Sequence, residues 1–257
     1  MRTTPARLAL LPIPALFGLT PPSTTQEPSS DGQAAQVSRI EGDPEQFRVE
    51  RDGDTYRSGV SFTEAALPEG YPAPTPPGAL EIKSYPAVRR AQVSGADGMN
   101  PAPGRGFFPL FNHIKKNDIA MTAPVEMIFA GSSLPEPQGD PLTTHTNDNG
   151  ETWTMSFLYR TADLGPTGTD GAVEIIDAEP VTVLSLGVRG RLDEAATIAG
   201  ITRLTAWVES NDHYEIAGHA RTLGYNGPYV PRDIQWWEIQ IPIRAVGATT
   251  AEHTPKT

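Results

Sequence analysis

The order in which strand-like and helix-like segments follow one another constrains this fold more than any other feature of the chain. Residues 152–160 alternate between apolar and polar side chains, which is the pattern of a half-buried strand. Phe107, Leu110, Phe111 and Ile114 recur instead at the spacing of one helix face. The two periodicities indicate that the chain contains both strands and helices.

Similar segments continue along the chain. Strand character extends over residues 80–93, 119–130, 152–160, 173–176, 181–188, 214–225 and 235–243, and helix character over 107–114 and 192–210. The order strand, helix, strand, strand therefore occurs twice. Neighbouring strands without a helix between them favour antiparallel pairing, with the helices packed on the sheet. The sequence predicts an α+β fold with two helices.

The second helix has an apolar stripe of its own. Ile198, Ile201, Leu204 and Val208 recur at helical spacing, and acidic residues stand near the start, where the helix dipole favours them. Gly200 in the interior costs roughly 1 kcal/mol relative to Ala. We therefore expect close packing against this glycine.

The N-terminal part of the chain differs from the rest in composition. Residues 1–20 join early arginines to a short apolar run, which is typical of a signal peptide. Residues 21–77 are rich in Pro, Ser and Thr and predict a linker followed by a weakly structured arm. We expect the folded domain over 78–245, a disordered tail over 246–257, and an exported or periplasmic protein, the alternative being a cytoplasmic one.

Charge and composition exclude several classes of partner. The formal net charge of −11 argues against nucleic acid, because phosphate binding relies on Lys and Arg. The apolar run over residues 8–19 is too short to span a bilayer, so we expect no stable membrane insertion of the mature chain. The chain has no cysteine, which removes disulfides and thiolate chemistry.

Four segments of the chain form a recognisable set. They are Phe-Phe-Pro-Leu-Phe-Asn-His-Ile at 107–114, Ile-Ala-Met-Thr-Ala-Pro-Val at 119–125, the strand at 80–91, and the loop Gly-Tyr-Asn-Gly-Pro-Tyr-Val-Pro-Arg-Asp at 224–233. Taken together, these segments resemble the SOUL/haem-binding protein family. The resemblance implies a distorted antiparallel β-barrel built from two strand–helix–strand–strand halves. It also implies non-covalent binding of haem or a related tetrapyrrole in a shallow apolar groove beside the first helix.

The residues near these motifs suit a tetrapyrrole, whose flat apolar ring needs an apolar groove and whose propionates need cations. The apolar candidates are Phe107, Phe111, Ile114, Met121 and Tyr229, with Met127, Trp236 and Trp237 also considered; the cations are Arg105, Lys115, Lys116 and Arg232. The structural alternative is that many of these aromatic residues pack in the hydrophobic core and that the lysines lie in a solvated turn. The chain also departs from the family pattern at His113 and at 232–234.

His113 is the histidine best placed to contact a ligand beside the first helix. It is a candidate axial ligand of a haem iron. The alternative, which we favour, is binding through ring burial and propionate contacts without iron ligation. We expect the other histidines to lie in loops or turns, in the tail, or in the core with their hydrogen bonds satisfied.

An enzymatic alternative rests on Glu238, which follows Trp236 and Trp237. An apolar setting would raise the pKa of this carboxyl toward use in acid–base catalysis. The chain also resembles effector-binding domains, some of which are hydrolases. If Glu238 faces solvent in an alternating strand, this alternative fails. A third possibility is a protein–protein adaptor without a small-molecule ligand. We predict a non-catalytic binding protein.

Overall fold

A large antiparallel β-sheet with two α-helices forms the part of the chain that the computed structural model describes, residues 36–96, 104–131, 134 and 152–247. The strands are β1 Val37–Glu41, β2 Glu50–Asp52, β3 Thr55–Ser58, β4 Ser61–Phe62, β5 Leu80–Tyr85, β6 Val88–Gly95, β7 Val125–Ala130, β8 Thr152–Leu158, β9 Gly168–Asp170, β10 Val173–Ala178, β11 Val181–Arg189, β12 Tyr214–Ile216, β13 Arg221–Gly224 and β14 Trp236–Ala245. The helices are α1 Phe107–Lys116 and α2 Glu194–Glu209. The α+β prediction is confirmed.

The main sheet has 11 strands in the order β1-β5-β11-β14-β13-β7-β8-β6-β10-β9, with β12 paired to β14 outside this path. The path runs from β1 to β9 and does not return to its start, so the predicted closure into a barrel is not confirmed. Strands β2, β3 and β4 form a separate small sheet.

The strand order is nearly symmetrical about the β13–β7 pair. Each half begins with two strands separated by a proline-containing break, Pro86-Ala87 between β5 and β6 and Glu179-Pro180 between β10 and β11. β5 then pairs with β11, and β10 pairs with β6. Each half therefore supplies its first strand to the other half.

Helix α2 covers the apolar face of β14 and β11. Asp193 caps its start, since the side chain accepts a hydrogen bond from Ala196 N at 3.0 Å. A Cβ on Gly200 would lie 2.2 Å from Ile239 Cδ1, so the glycine permits the close packing that the sequence predicted. Ile198, assigned to the buried stripe, is instead 40% exposed.

Residues 37–77 are not the weakly structured arm that their composition predicted. They contain four strands, and β1 extends the main sheet by pairing with β5. Leu67 and Thr75 are buried, and Ala66 O accepts a hydrogen bond from Ala123 N at 3.0 Å. The arm is part of the fold because strand pairing and these contacts satisfy its main chain.

Several predictions lie outside the described residues. These are the possible signal peptide over 1–20, the linker up to residue 35, and the tail from 248 onward. Export of the protein therefore stays a prediction. In the described part of the chain, no helix is both long enough and apolar enough to cross a membrane.

Candidate functional site

Helix α1 has one apolar face in the core and a second one at the surface. Leu110 and Ile114 are buried beneath the helix, in the same core cluster as Phe157. On the outside, Phe108 is 61% exposed and Phe111 is 39% exposed. The other face of this helix already packs in the core. Packing within the domain therefore does not explain the exposed apolar surface.

The exposed face is held in place by aromatic contacts. Phe107 stacks on Phe111 with ring centroids 5.7 Å apart, and it meets Phe157 of β8 edge-on at 5.3 Å. Phe108 contacts Phe107 edge-on at 6.0 Å. The half-buried Phe107 therefore connects the core to the surface phenylalanines and limits their movement.

One predicted apolar contact on α1 needs correction, and one exposed apolar residue was not predicted. Ile114 belongs to the core and cannot line a surface groove, although it falls on the predicted stripe. Phe108 was missed because it lies one residue outside that stripe. A helical phase centred on Leu110 and Ile114 would have placed Phe108 outward, together with Phe111 and Lys115.

Basic residues stand at both ends of α1. Arg105 precedes the helix and is exposed, and Lys115 and Lys116 end it, also exposed. Lys116 Nζ lies 2.9 Å from Asp170 Oδ1. Lys115 follows Arg105 by ten positions, and ten helical positions correspond to about 15 Å along an axis. The exposed phenylalanines lie between these cations.

The other predicted contacts come from the segments around β7 and β13. Met121, before β7, is 41% exposed; Tyr229, in the loop after β13, is 96% exposed; and Arg232 of that loop is also exposed. The sheet brings the two segments together, because Val125 at the start of β7 pairs with Gly224 at the end of β13.

The segment from Met121 to Val125 connects α1 to the neighbouring parts of the fold. Thr122 Oγ1 donates a hydrogen bond to Leu158 O, and Ala123 N donates to Ala66 O. The Ala123–Pro124 peptide bond is cis. These contacts tie the segment between α1 and β7 to β8 on one side and to the N-terminal arm on the other.

His113 is buried, and both of its ring nitrogens have partners. Nδ1 lies 2.8 Å from Asp170 Oδ2, and Nε2 lies 2.9 Å from Tyr159 Oη. The hydrogen bond from His113, with a second from Lys116, lowers the pKa of Asp170. Burial raises the pKa of Tyr159. In the tautomer with the proton on Nδ1, His113 donates to Asp170 and accepts from the Tyr159 hydroxyl.

This histidine borders a cleft of about 480 Å³ between the end of α1 and the β9–β10 hairpin. Ligation of an iron by His113 would break one of its two hydrogen bonds and leave Tyr159 or Asp170 without it. In the described residues, no three His, Asp or Glu side chains are grouped as metal ligands. The geometry does not favour an axial role for His113.

Glu238 is fully buried. It lies on the face of the sheet opposite the one that packs against α2, and this face is called the inner face below. It accepts hydrogen bonds from Lys83 Nζ at 2.8 Å, Ser185 Oγ at 3.0 Å and Tyr85 Oη at 3.1 Å. Burial alone would raise the pKa of Glu238, but the charge of Lys83 and the hydrogen bonds lower it below its usual value. The expectation of a solvent-facing residue was wrong, and so was the expectation of a raised pKa.

The inner face continues as a chain of polar side chains. Gln240 Nε2 donates to Tyr85 Oη at 2.8 Å, and Gln240 Oε1 accepts from Arg221 Nε at 2.8 Å. Arg221 and Arg90 both bind Glu126, at 2.7 and 2.6 Å. Apart from Arg90 Nε, these groups satisfy one another, which indicates a structural network rather than an acid–base site open to a substrate.

Taken together, the fold and the exposed face of α1 define an α+β protein of two interlocked halves with an apolar surface on its first helix. The chain belongs to the SOUL heme-binding protein family, whose model matches residues 73–241. No curated protein matches the chain.

Solved structures with a similar fold are distant in sequence. A chain of the EcmrR–DNA complex is 14% identical with a TM-score of 0.49, over 65% of this chain and 57% of that one. The EcmrR C-terminal domain is 13% identical with a TM-score of 0.44, over 65% and 98%. A hydrolase from Listeria innocua is 11% identical with a TM-score of 0.44, over 67% and 94%. This chain thus spans little more than half of the EcmrR chain in the DNA complex.

Proposed function

We propose that this protein binds haem or a related tetrapyrrole non-covalently and without catalysis, on the exposed face of α1. The observation that carries the proposal is the exposure of Phe108 and Phe111 on the helix that bears the family motif. Water-exposed rings on a helix that is anchored from below offer a flat, apolar and pre-formed surface, which a planar macrocycle can cover.

Burial of the ring supplies the main driving force. Fully burying an apolar side chain of this size is worth about 1.5–3 kcal/mol, and Phe108, Phe111 and Met121 each start partly exposed. The two propionates of a tetrapyrrole leave one edge of the ring, so both would lie at one end of α1, near Arg105 or near Lys115. Exposed ion pairs contribute about 0–1 kcal/mol each, so the cations orient the ligand more than they hold it.

The iron is not required in this mode of binding. Both nitrogens of His113 are already hydrogen-bonded, so the ring stack and the cations act on any tetrapyrrole, with or without metal. The Glu238 alternative gains no support, because the carboxylate is fully buried and paired with Lys83.

The test is a titration of the protein with haemin and with metal-free protoporphyrin, followed by absorbance and by Trp fluorescence. We expect both ligands to bind with similar affinity. The double substitution Phe108→Ala/Phe111→Ala should weaken binding of both by about tenfold or more, which corresponds to about 1.4 kcal/mol.

Ile198→Ala is the matched control, because Ile198 has nearly the same exposure as Phe111 but lies on α2. This variant should bind as the wild type does. Unchanged binding in the double Phe variant would contradict the proposal, and so would a tight haemin complex with no affinity for metal-free porphyrin.

A further inference from the structure

A proline-rich strap, residues 71–77, crosses the polar inner face of the sheet. Its sequence is Tyr-Pro-Ala-Pro-Thr-Pro-Pro, and prolines at alternate positions favour an extended backbone. Gly70 and Gly78 flank the strap with φ of 76° and 95°, in the left-handed region that glycine adopts most easily. The strap thus lies between two exposed turns that permit a change of direction.

The sheet holds the strap mainly through its main chain. Lys83 Nζ donates to Ala73 O at 2.8 Å, and Trp236 Nε1 donates to Thr75 O at 2.8 Å. In the other direction, Thr75 N donates to the Glu238 carboxylate. The sheet therefore presents two donors and one acceptor, in the pattern that an extended peptide backbone satisfies.

Side chains of the strap add contacts at two places: Tyr71 meets Tyr85 edge-on with ring centroids 4.9 Å apart, and Thr75 contacts β11. Thr75 Oγ1 donates to Ser185 Oγ at 3.0 Å. A Cβ on Gly187 would lie 2.2 Å from Pro76 O, so the glycine creates the space in which the strap's backbone lies against β11. The middle residue of Pro74-Thr75-Pro76 must keep its N–H, whereas its two neighbours need none.

The surface beneath the middle of the strap is polar, whereas Tyr71 at its start packs against an apolar cluster that includes Tyr85 and Trp236. Lys83, Ser185 and Glu238 lie directly under Thr75, and the opposite face of the same strands packs apolar side chains against α2. Opening the strap around Thr75 would let water hydrate an ion pair, which recovers part of the cost of desolvating it. Opening the α2 side would expose apolar side chains to water, which is unfavourable and gains no hydration energy in return.

We infer that Lys83, Trp236, Glu238 and Gly187 form a peptide-binding clamp for an extended Pro-x-Pro segment, which the chain's own strap occupies. The ligand class is a proline-containing peptide of another polypeptide, with a non-proline residue between two prolines. Tetrapyrrole binding on α1 is independent of this site, because α1 packs on other strands of the sheet. The strap competes with such a peptide from within the same chain, which keeps the apparent affinity low.

Hydrogen exchange of the full chain tests whether the strap opens. The amide of Thr75 should exchange faster than those of Ile239 and Ile241 in β14, through a local opening that low denaturant does not accelerate. If the Thr75 amide exchanges only together with β14, by global unfolding, the strap is a permanent part of the core and the inference is wrong. This measurement needs no variant.

Peptide binding to the Thr75→Pro variant tests the recognition. The substitution removes the N–H that binds Glu238, so it weakens the strap and leaves the clamp unchanged. A fluorescent peptide Tyr-Pro-Ala-Pro-Thr-Pro-Pro-Gly should bind this variant at least about tenfold more tightly than the wild type. The same peptide with Pro in place of Thr is the control and should not bind.

Adding Gly187→Ala to Thr75→Pro should abolish binding of the Thr-containing peptide, because the new Cβ occupies the space of the peptide carbonyl. A folded Thr75→Pro chain that binds both peptides equally, or neither, overturns the inference. Should Thr75→Pro fail to fold, the exchange rates of the wild-type chain decide the question.

Discussion

Lys83 Nζ and Glu238 Oε1 lie 2.8 Å apart, and neither side chain is exposed. The two residues come from β5 and β14, which do not pair with each other, since β11 lies between them in the sheet. The ion pair therefore bridges a strand, and Ser185 of that strand donates to the same carboxylate.

The first prediction concerns removal of one partner. Lys83→Met should lower the free energy of unfolding by about 3–5 kcal/mol, because it leaves a buried carboxylate without its cation. The double substitution Lys83→Met/Glu238→Leu should cost much less than the single one. Urea unfolding of the variants measures both values, and equal losses in the single and double variants would show that the pair is not coupled.

The second prediction concerns acid. The pKa of Glu238 in the folded protein is below its usual value of 4.5, and the same holds for Glu126 between Arg90 and Arg221. The unfolded chain therefore binds more protons than the folded one as pH falls through this range, and stability is present above about pH 4.5 and lost below it. Lys83→Met/Glu238→Leu should lose stability less steeply with acid, whereas exposed Glu50→Gln should keep the slope of the wild type.

The third prediction concerns His113. His113→Ala should lower the free energy of unfolding by about 1–3 kcal/mol, because the Tyr159 hydroxyl loses its partner and Asp170 keeps only Lys116. The absorbance spectrum of the haem complex should stay unchanged. Exposed His213→Ala is the control and should change neither quantity. A shift of the haem spectrum in His113→Ala alone would restore the axial-ligand hypothesis.

The fourth prediction concerns the arm. A chain that begins at Gly78 should unfold at a much lower temperature than one that begins at Gln36, or fail to fold, because it lacks β1 and the strap over Glu238. This reverses the expectation from composition that residues 21–77 are a linker and a weakly structured arm outside the folded domain. Circular dichroism melting of the two chains measures the difference, and equal midpoints would show that the arm adds nothing to stability.

Local pattern was sufficient for the elements with strong periodicity. Both helices and the antiparallel arrangement followed from spacing, and the family motif on α1 was visible in eight residues. The sequence did not show which side of α1 faces the core, because Phe107, Phe108 and Phe111 make the helix apolar on more than one side. Ile114 was therefore assigned to the surface and Phe108 overlooked.

Long-range partners account for the remaining errors. Glu238 was interpreted from its neighbours Trp236 and Trp237, but its charge is set by Lys83, 155 residues earlier. The proline content of the strap predicted a linker or a weakly structured arm, which is what such a segment forms when it has no partners. In the fold, buried donors and an acceptor satisfy its backbone, and no short window of sequence contains both the strap and those groups.

The exchange of first strands between the two halves has a consequence for how the chain folds. Tyr85 of β5 pairs with Val181 of β11, and Val88 of β6 pairs with Ala178 of β10, so both pairings join residues about ninety positions apart. Such non-local pairings raise the contact order and slow the search for the native topology, because loop closure must precede the contacts that reward it. Because each half lacks the strand that the other one holds, we expect neither half to fold on its own before both have been synthesised.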